Sequence, residues 1–156
     1  MKILITDVIN DKGLIEKKIF GKKYSVKICG AKKNIEIPDK LLSEADAILF
    51  YDLINVDKNF LSKLKKCKAL VRVGVGLDNV DLKFAKEIGI PVCNVPDYGV
   101  DEVADYAMSS ILISNGNILS YFQETVKKKW IRESSRFRLE GRTLGIIGLG
   151  RIGSAL

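Results

Sequence analysis

The sequence predicts an α/β fold: a doubly wound parallel sheet of flavodoxin-like type, then a long helix, then the start of a second parallel-sheet layer. Three observations predict it. Short apolar runs alternate with amphipathic segments over the first hundred or so residues. The connections between them are short and marked by Gly, Pro and Asp. Near the end of the chain, an apolar run leads directly into G-x-G-x-x-G.

Taken in order, Lys2–Thr6 is a strand and Lys12–Phe20 a helix with Leu14, Ile15 and Ile19 on one side. Tyr24–Cys29 is a second strand. A short helix starts near Pro38, and Asp46–Tyr51 is a third strand. Asp57 caps a helix through Lys66, whose lysines suit the negative end of its dipole. Ala69–Val73 is a fourth strand. Asp81 caps the next helix, Gly89 supplies its left-handed end, and Pro91 prevents continuation. Pro91–Val95 is a fifth strand. Strand–helix–strand repetition of this kind builds a parallel sheet covered on both faces.

The rhythm changes at Asp101. From there to Lys129 the chain reads as one helix, acidic at its start and closed by Lys127–Lys129. The Ser114–Asn117 stretch is a poor helix former that kinks or divides it. A helix this long between two α/β patterns reads as a connector. After a polar stretch, Thr143–Ile147 begins a new strand. This gives residues 1–100 as a first domain, 101–129 as a crossover helix, and 130–156 as the start of a second domain.

The 156 residues are 47% hydrophobic and 29% charged, the balance of a globular chain. No apolar run approaches the roughly 20 residues that span a bilayer, so no membrane partner is expected. Cys29, Cys67 and Cys93 are odd in number and widely spaced. They fit neither a disulfide framework nor a metal site, and point to a reducing cytoplasm. The net charge of +7 rests on a lysine excess that is strongest early, at Lys12, Lys17, Lys18, Lys22, Lys23, Lys27, Lys32 and Lys33. With no Arg cluster and few aromatics beside them, these read as solvated surface and not as a nucleic-acid interface.

Three motifs carry chemistry. In the tail RTLGIIGLGRIGSAL, Gly148 permits a tight turn, Gly150 lets backbone approach a diphosphate, and Gly153 lets helix and strand pack closely. Amides near Arg151 and Ile152 would hold the diphosphate. The plainer reading is a Gly-rich turn in an α/β domain. In VRVGVGLDNVD, Gly74 and Gly76 strip side chains from a turn at the carboxyl end of the fourth strand. The N–H groups of Val75 and Gly76 can then face an anion such as a carboxylate. A structural strand-to-helix turn would use the same residues. In NVPDYGVDEVADYAM, Tyr98 offers a hydroxyl beside the long helix, or packs an ordinary turn.

Together, VGVGLDNVD, GIPVCNVPDYGVDEVADYAM and GRTLGIIGLGRIG resemble the D-isomer-specific 2-hydroxyacid dehydrogenases. They are most similar to the branch with C-terminal-binding-protein-like and phosphoglycerate-dehydrogenase-like members. The resemblance covers nearly the whole chain. It implies a substrate domain first, a crossover helix, and a Rossmann NAD-binding domain after it. It implies that Val75 and Gly76 bind the substrate carboxylate with Tyr98 close by. Val95 and Val103 fall on the nicotinamide side, and Arg151 and Ile152 on the diphosphate.

The implied activity is hydride transfer between NAD and a small 2-hydroxy or 2-oxo acid, with NADP not excluded, in a homodimer built on the crossover helix. The other implied possibility is an NAD(H)-sensing, corepressor-like binding protein on the same scaffold. The family's catalytic Arg, Glu and His lie late in the nucleotide domain and have no counterparts here. The sequence holds no histidine. No catalytic residue is therefore assigned, that set is expected downstream of Leu156, and the chain reads as an N-terminal fragment. A lone strand from the second domain is expected to be exposed or disordered.

Overall fold

Parallel strands need a crossover between each pair, and the alternating pattern supplies five strands and the helices that link them. The fold was obtained as a computed structural model, which describes residues 1–130 and 138–156. Residues 131–137, inside the expected start of the second domain, lie outside the described residues. The strands are β1 Lys2–Asp7, β2 Ser25–Ala31, β3 Ala47–Phe50, β4 Leu70–Arg72 and β5 Val92–Cys93. The helices between them are α1 Leu14–Phe20, α2 Asp39–Glu44, α3 Lys58–Ser62 and α4 Leu82–Glu87. A single 3-10 turn, Asn34–Glu36, precedes α2.

The strands form one all-parallel sheet in the order β2-β1-β3-β4-β5. That is the flavodoxin-like doubly wound order. The register runs Ile3 to Ala47, Ile48 to Leu70, and Leu70 to Val92. Strand β1 is covered on both faces, so its Ile3–Ile5 run is apolar without alternation. Every residue of β1 from Ile3 to Asp7 is buried. Ile48, Phe50 and Leu70 join Ile54, Val56 and Leu61 in the same core.

Local signals explain the helix starts. The Asp57 carboxylate accepts the Phe60 N–H at 2.7 Å, and the Asp81 carboxylate accepts the Phe84 N–H at 2.9 Å. Each satisfies an amide that the first helical turn leaves without a partner. Gly89 takes φ +74 just after α4, the left-handed residue that closes a helix end.

Leu14, Ile15 and Ile19 share one side of α1, and that side faces solvent, Glu16 and Phe20 being the partly covered residues. Helix α3 and the Thr143–Ile147 run depart from expectation. Helix α3 ends at Ser62. Lys63 and Lys66 follow it and reach the Asp39 and Asp46 carboxylates instead. The helical run over Asp101–Lys129 is divided within the Ser114–Asn117 stretch, into α5 Val100–Asn115 and α6 Ile118–Val126. Gly116 ends the first, and Asn117 breaks the run with φ +52. Thr143–Ile147 forms no strand, since no neighbouring strand among the described residues offers it a ladder. Ile147 is fully exposed. A last helix, α7, spans Arg151–Ala155.

By packing, the chain divides into two compact units, Met1–Pro96 and Asp97–Leu156. The sheet belongs wholly to the first.

Candidate functional site

In the first unit, β1, β3 and β4 end along one edge of the sheet, and their following loops are tied together by side chains. The loop after β4 is anchored where the Val73 N–H donates to the Phe50 carbonyl at 2.8 Å. Gly74 is buried, while Val75 and Gly76 are exposed. Among the described residues, no acceptor engages the Val75 or Gly76 amide. Both N–H groups are thus open to an external anion.

Arg72 occupies the space that a side chain on Gly74 would need. A Cβ there would collide with Arg72 Nη1 and lie 2.7 Å from Cζ. Nη1 donates to the Val73 carbonyl at 3.2 Å, and the buried Nε has no partner among the described residues. Gly76 is constrained similarly, since a Cβ there would come within 2.7 Å of the Asp78 carboxylate. Strand alternation alone would point Arg72 away from the turn. Its long stem and the missing Gly74 side chain bring the guanidinium back to the turn. Arg72 is the one arginine of residues 1–96.

The turn is held from two directions. Asn94 Nδ2 donates to the Val75 carbonyl at 2.8 Å, and the Val95 N–H donates to the Gly74 carbonyl at 3.0 Å. Val95 therefore sits beside the Val75–Gly76 turn. From the other side of the loop, Asn79 Nδ2 donates to the carbonyls of Tyr51 at 3.2 Å and Ile54 at 2.9 Å.

The loop after β3 is clamped by a residue that sequence reading passed over. Asp7 is fully buried at the end of β1. Its carboxylate accepts the N–H groups of Tyr51 and Leu53, each at 3.0 Å, and the Thr6 hydroxyl at 2.7 Å. A buried carboxylate is tolerable only with such partners. The signal was there: an acid closing an otherwise apolar strand. The Tyr51 hydroxyl donates to Glu16 at 3.2 Å. Burial foremost, and then the Glu16 charge, push the Tyr51 phenol up to about 12.

In the second unit, Gly148, Gly150, Arg151, Ile152 and Gly153 form one turn leading into α7. Gly148 has φ +98, a backbone that other residues rarely adopt. A Cβ on Gly153 would run into the Gly148 carbonyl, whereas Gly150 has open space around it. Gly148 and Gly153 are thus required by the turn itself, while the strand that Gly153 was expected to pack against does not form among the described residues. Tyr98 is exposed just before α5. Val103 is exposed in its first turn, its N–H donating to the Gly99 carbonyl at 3.1 Å. Val75, Gly76 and Val95 thus come together in one unit, and the glycine turn, Tyr98 and Val103 lie in the other. No group of side chains suited to a metal ion occurs among the described residues.

The family model described as D-isomer specific 2-hydroxyacid dehydrogenase, catalytic domain, matches residues 3–146. The chain belongs to the D-isomer-specific 2-hydroxyacid dehydrogenase family. Among relatives of the chain, C-terminal-binding protein 1 of Caenorhabditis elegans is 36% identical over 150 residues. That match covers 91% of the chain and 21% of the relative. D-3-phosphoglycerate dehydrogenase of Methanocaldococcus jannaschii is 33% identical over 154 residues, covering 98% and 29%.

Among solved structures, D-lactate dehydrogenase from Aquifex aeolicus, complexed with NAD and lactic acid, superposes with a TM-score of 0.89. It is 28% identical, with 98% of this chain and 46% of that one covered. The NADPH-dependent glyoxylate/hydroxypyruvate reductase of Sinorhizobium meliloti, in complex with NADP and malonate, gives 0.75 at 26% identity, covering 99% and 48%. The chain therefore spans under a third of the curated relatives named here and just under half of the solved ones.

Proposed function

We propose that the protein is an oxidoreductase that moves hydride between NAD and the C2 carbon of a small D-2-hydroxy or 2-oxo acid. NADP is the alternative dinucleotide. The observation that carries this reading is the pair of open amides at Val75 and Gly76, beside the Arg72 guanidinium, in a chain of this family. Two adjacent unpartnered N–H donors with an arginine close by suit a carboxylate. Both solved relatives named above were captured with a small carboxylic acid or carboxylate and a nicotinamide dinucleotide.

In this reading the Val75 and Gly76 amides bind the substrate carboxylate, and Arg72 supplies the neutralising charge. Tyr98 offers its hydroxyl to the same ligand. Val95 and Val103 give apolar contact on the nicotinamide side. Gly148, Gly150 and Gly153 shape the diphosphate turn, where the Arg151 and Ile152 amides donate. The dinucleotide, when bound, supplies the hydride acceptor. Exchange of the hydroxyl proton is assigned to no residue of this chain, which lacks histidine.

Two further parts belong to the same proposal. The protein pairs as a homodimer through α5 and α6, whose Val103, Met108, Leu112, Ile118, Leu119 and Phe122 are exposed. Its three free cysteines suit a reducing cytoplasm. The second reading, an NAD(H)-sensing binding protein, is favoured by one observation, the 36% identity to C-terminal-binding protein 1.

The test is the natural protein purified from its source, assayed for NAD or NADP reduction with D- and L-forms of lactate and glycerate. The expected result is turnover of the D-forms. Dinucleotide binding without turnover of either form would favour the sensing reading. A preference for the L-forms would overturn both.

A further inference from the structure

Helix α1 is amphipathic in the wrong sense for a core element. Of its seven residues none is buried. The residues turned inward are Glu16, bound to Tyr51, and Phe20, stacked edge-on against Tyr24. Leu14, Ile15 and Ile19 are 67%, 63% and 72% exposed. At about 100° per residue they share an arc of roughly 140°, with Lys18 inside it and Lys17 about 60° beyond its edge.

The charge is as uneven as the apolar surface. Residues 12–33 hold eight lysines against the single acid Glu16, a net +7 that equals the net charge of the whole chain. All eight lysines are exposed, and none pairs with a carboxylate among the described residues. Five of them, Lys12, Lys17, Lys18, Lys22 and Lys23, lie on α1 or its flanking turns. Lys23 rests over the Tyr24 ring.

From this juxtaposition we infer that α1 is a peripheral docking surface for anionic lipid. Aliphatic side chains standing out among lysines match a bilayer interface, where the chains enter the headgroup boundary and the ammonium groups meet lipid phosphates and carboxylates. Protein interfaces are depleted in lysine and favour arginine and aromatic anchors. Nucleic acids similarly favour arginine and stacking rings. The outward face of α1 holds neither. The contact is monotopic: among the described residues no helix is long and apolar enough to cross a membrane. This revises the expectation that these lysines are solvated surface and that the protein has no membrane partner. It is independent of the proposed dehydrogenase activity.

Co-sedimentation of the 156-residue chain with vesicles tests it. The probes are pure phosphatidylcholine and a mixture of about three parts phosphatidylserine to seven of phosphatidylcholine. The chain should pellet with the anionic vesicles only, and less at high salt. Each lysine near the surface contributes about fivefold in partitioning, so Lys17→Gln with Lys18→Gln should weaken it about 25-fold. Ile15→Ser with Ile19→Ser should weaken it about tenfold or more, since aliphatic insertion is lost. Lys83→Gln with Lys86→Gln, on α4 beside the opposite sheet edge, changes the net charge equally and should leave partitioning within about twofold. Circular dichroism confirms that each variant keeps its fold. The inference is overturned by no partitioning, by equal binding to neutral vesicles, or by the α4 variant matching the Lys17/Lys18 one. Self-association through Ile15 and Ile19 in place of vesicle binding also overturns it. So does tighter binding to a DNA duplex that Ile15→Ser and Ile19→Ser leave unchanged.

Discussion

The Asn94 side-chain amide grips the Val75 carbonyl at 2.8 Å, joining the segment after β5 to the turn after β4. One peptide of the candidate carboxylate site is therefore oriented from nineteen residues away. Replacing Asn94 by Ala removes that donor while leaving the Val95 to Gly74 hydrogen bond in place. A single hydrogen bond of this kind contributes about 1 kcal/mol. The expected outcome is a roughly fivefold weaker affinity for a small carboxylate such as oxamate, measured by calorimetric titration. An unchanged affinity would separate the Asn94 contact from the site.

Asp7 makes a sharper stability prediction. It alone accepts the N–H groups of both Tyr51 and Leu53 from full burial. An Asp7→Asn variant keeps the shape but presents one acceptor oxygen where the carboxylate has two. One amide is left without a partner, at a cost of about 1–3 kcal/mol. Urea unfolding should show the midpoint lowered with an unchanged slope. No loss of stability would contradict the clamp.

Tyr51 gives a pH dependence. Its phenol is raised from the ordinary value of 10 to about 12, because burial and the Glu16 charge disfavour the anion. The folded chain thus holds this proton more tightly than the unfolded chain does. The stabilisation is complete below pH 10 and is lost as pH rises through about 12. Between these values the wild-type chain should lose stability in a step that Tyr51→Phe removes. A tyrosinate absorbance titration should find one late-ionising phenol that is missing in the variant.

The 156-residue chain alone should not oxidise NADH with glyoxylate, pyruvate, hydroxypyruvate or 2-oxoglutarate. No imidazole is available to deliver the hydroxyl proton. A rate that survives removal of contaminants, and that disappears in an Arg72→Gln variant, would contradict this.

Much of the first unit was legible because its signals are local. Asp57 and Asp81 announce helix starts, Gly89 and Pro91 a helix end, and the apolar runs of β1 and β3 strands of a parallel sheet. What was not legible depends on tertiary packing. Strand alternation says where Arg72 leaves the backbone. It does not say that its stem folds back over Gly74. Periodicity gives α1 an apolar side. It does not reveal that the Tyr51 hydroxyl draws Glu16 inward and turns that side to solvent. The poor helix formers around Gly116 hinted at the break between α5 and α6, but the left-handed Asn117 that makes it is a backbone fact. Thr143–Ile147 has the composition of a strand, yet composition cannot supply the neighbouring strand that a ladder needs.

The central claim is that the turn after β4 binds a carboxylate through two amides. Amide nitrogen–proton spectra of the labelled chain, titrated with oxamate, test it most directly. The account predicts that the largest shifts fall on Val75 and Gly76, that Asn94 and Val95 follow, and that Arg72→Gln weakens the whole response. Shifts spread over the exposed lysines, with Val75 and Gly76 unmoved, would contradict it.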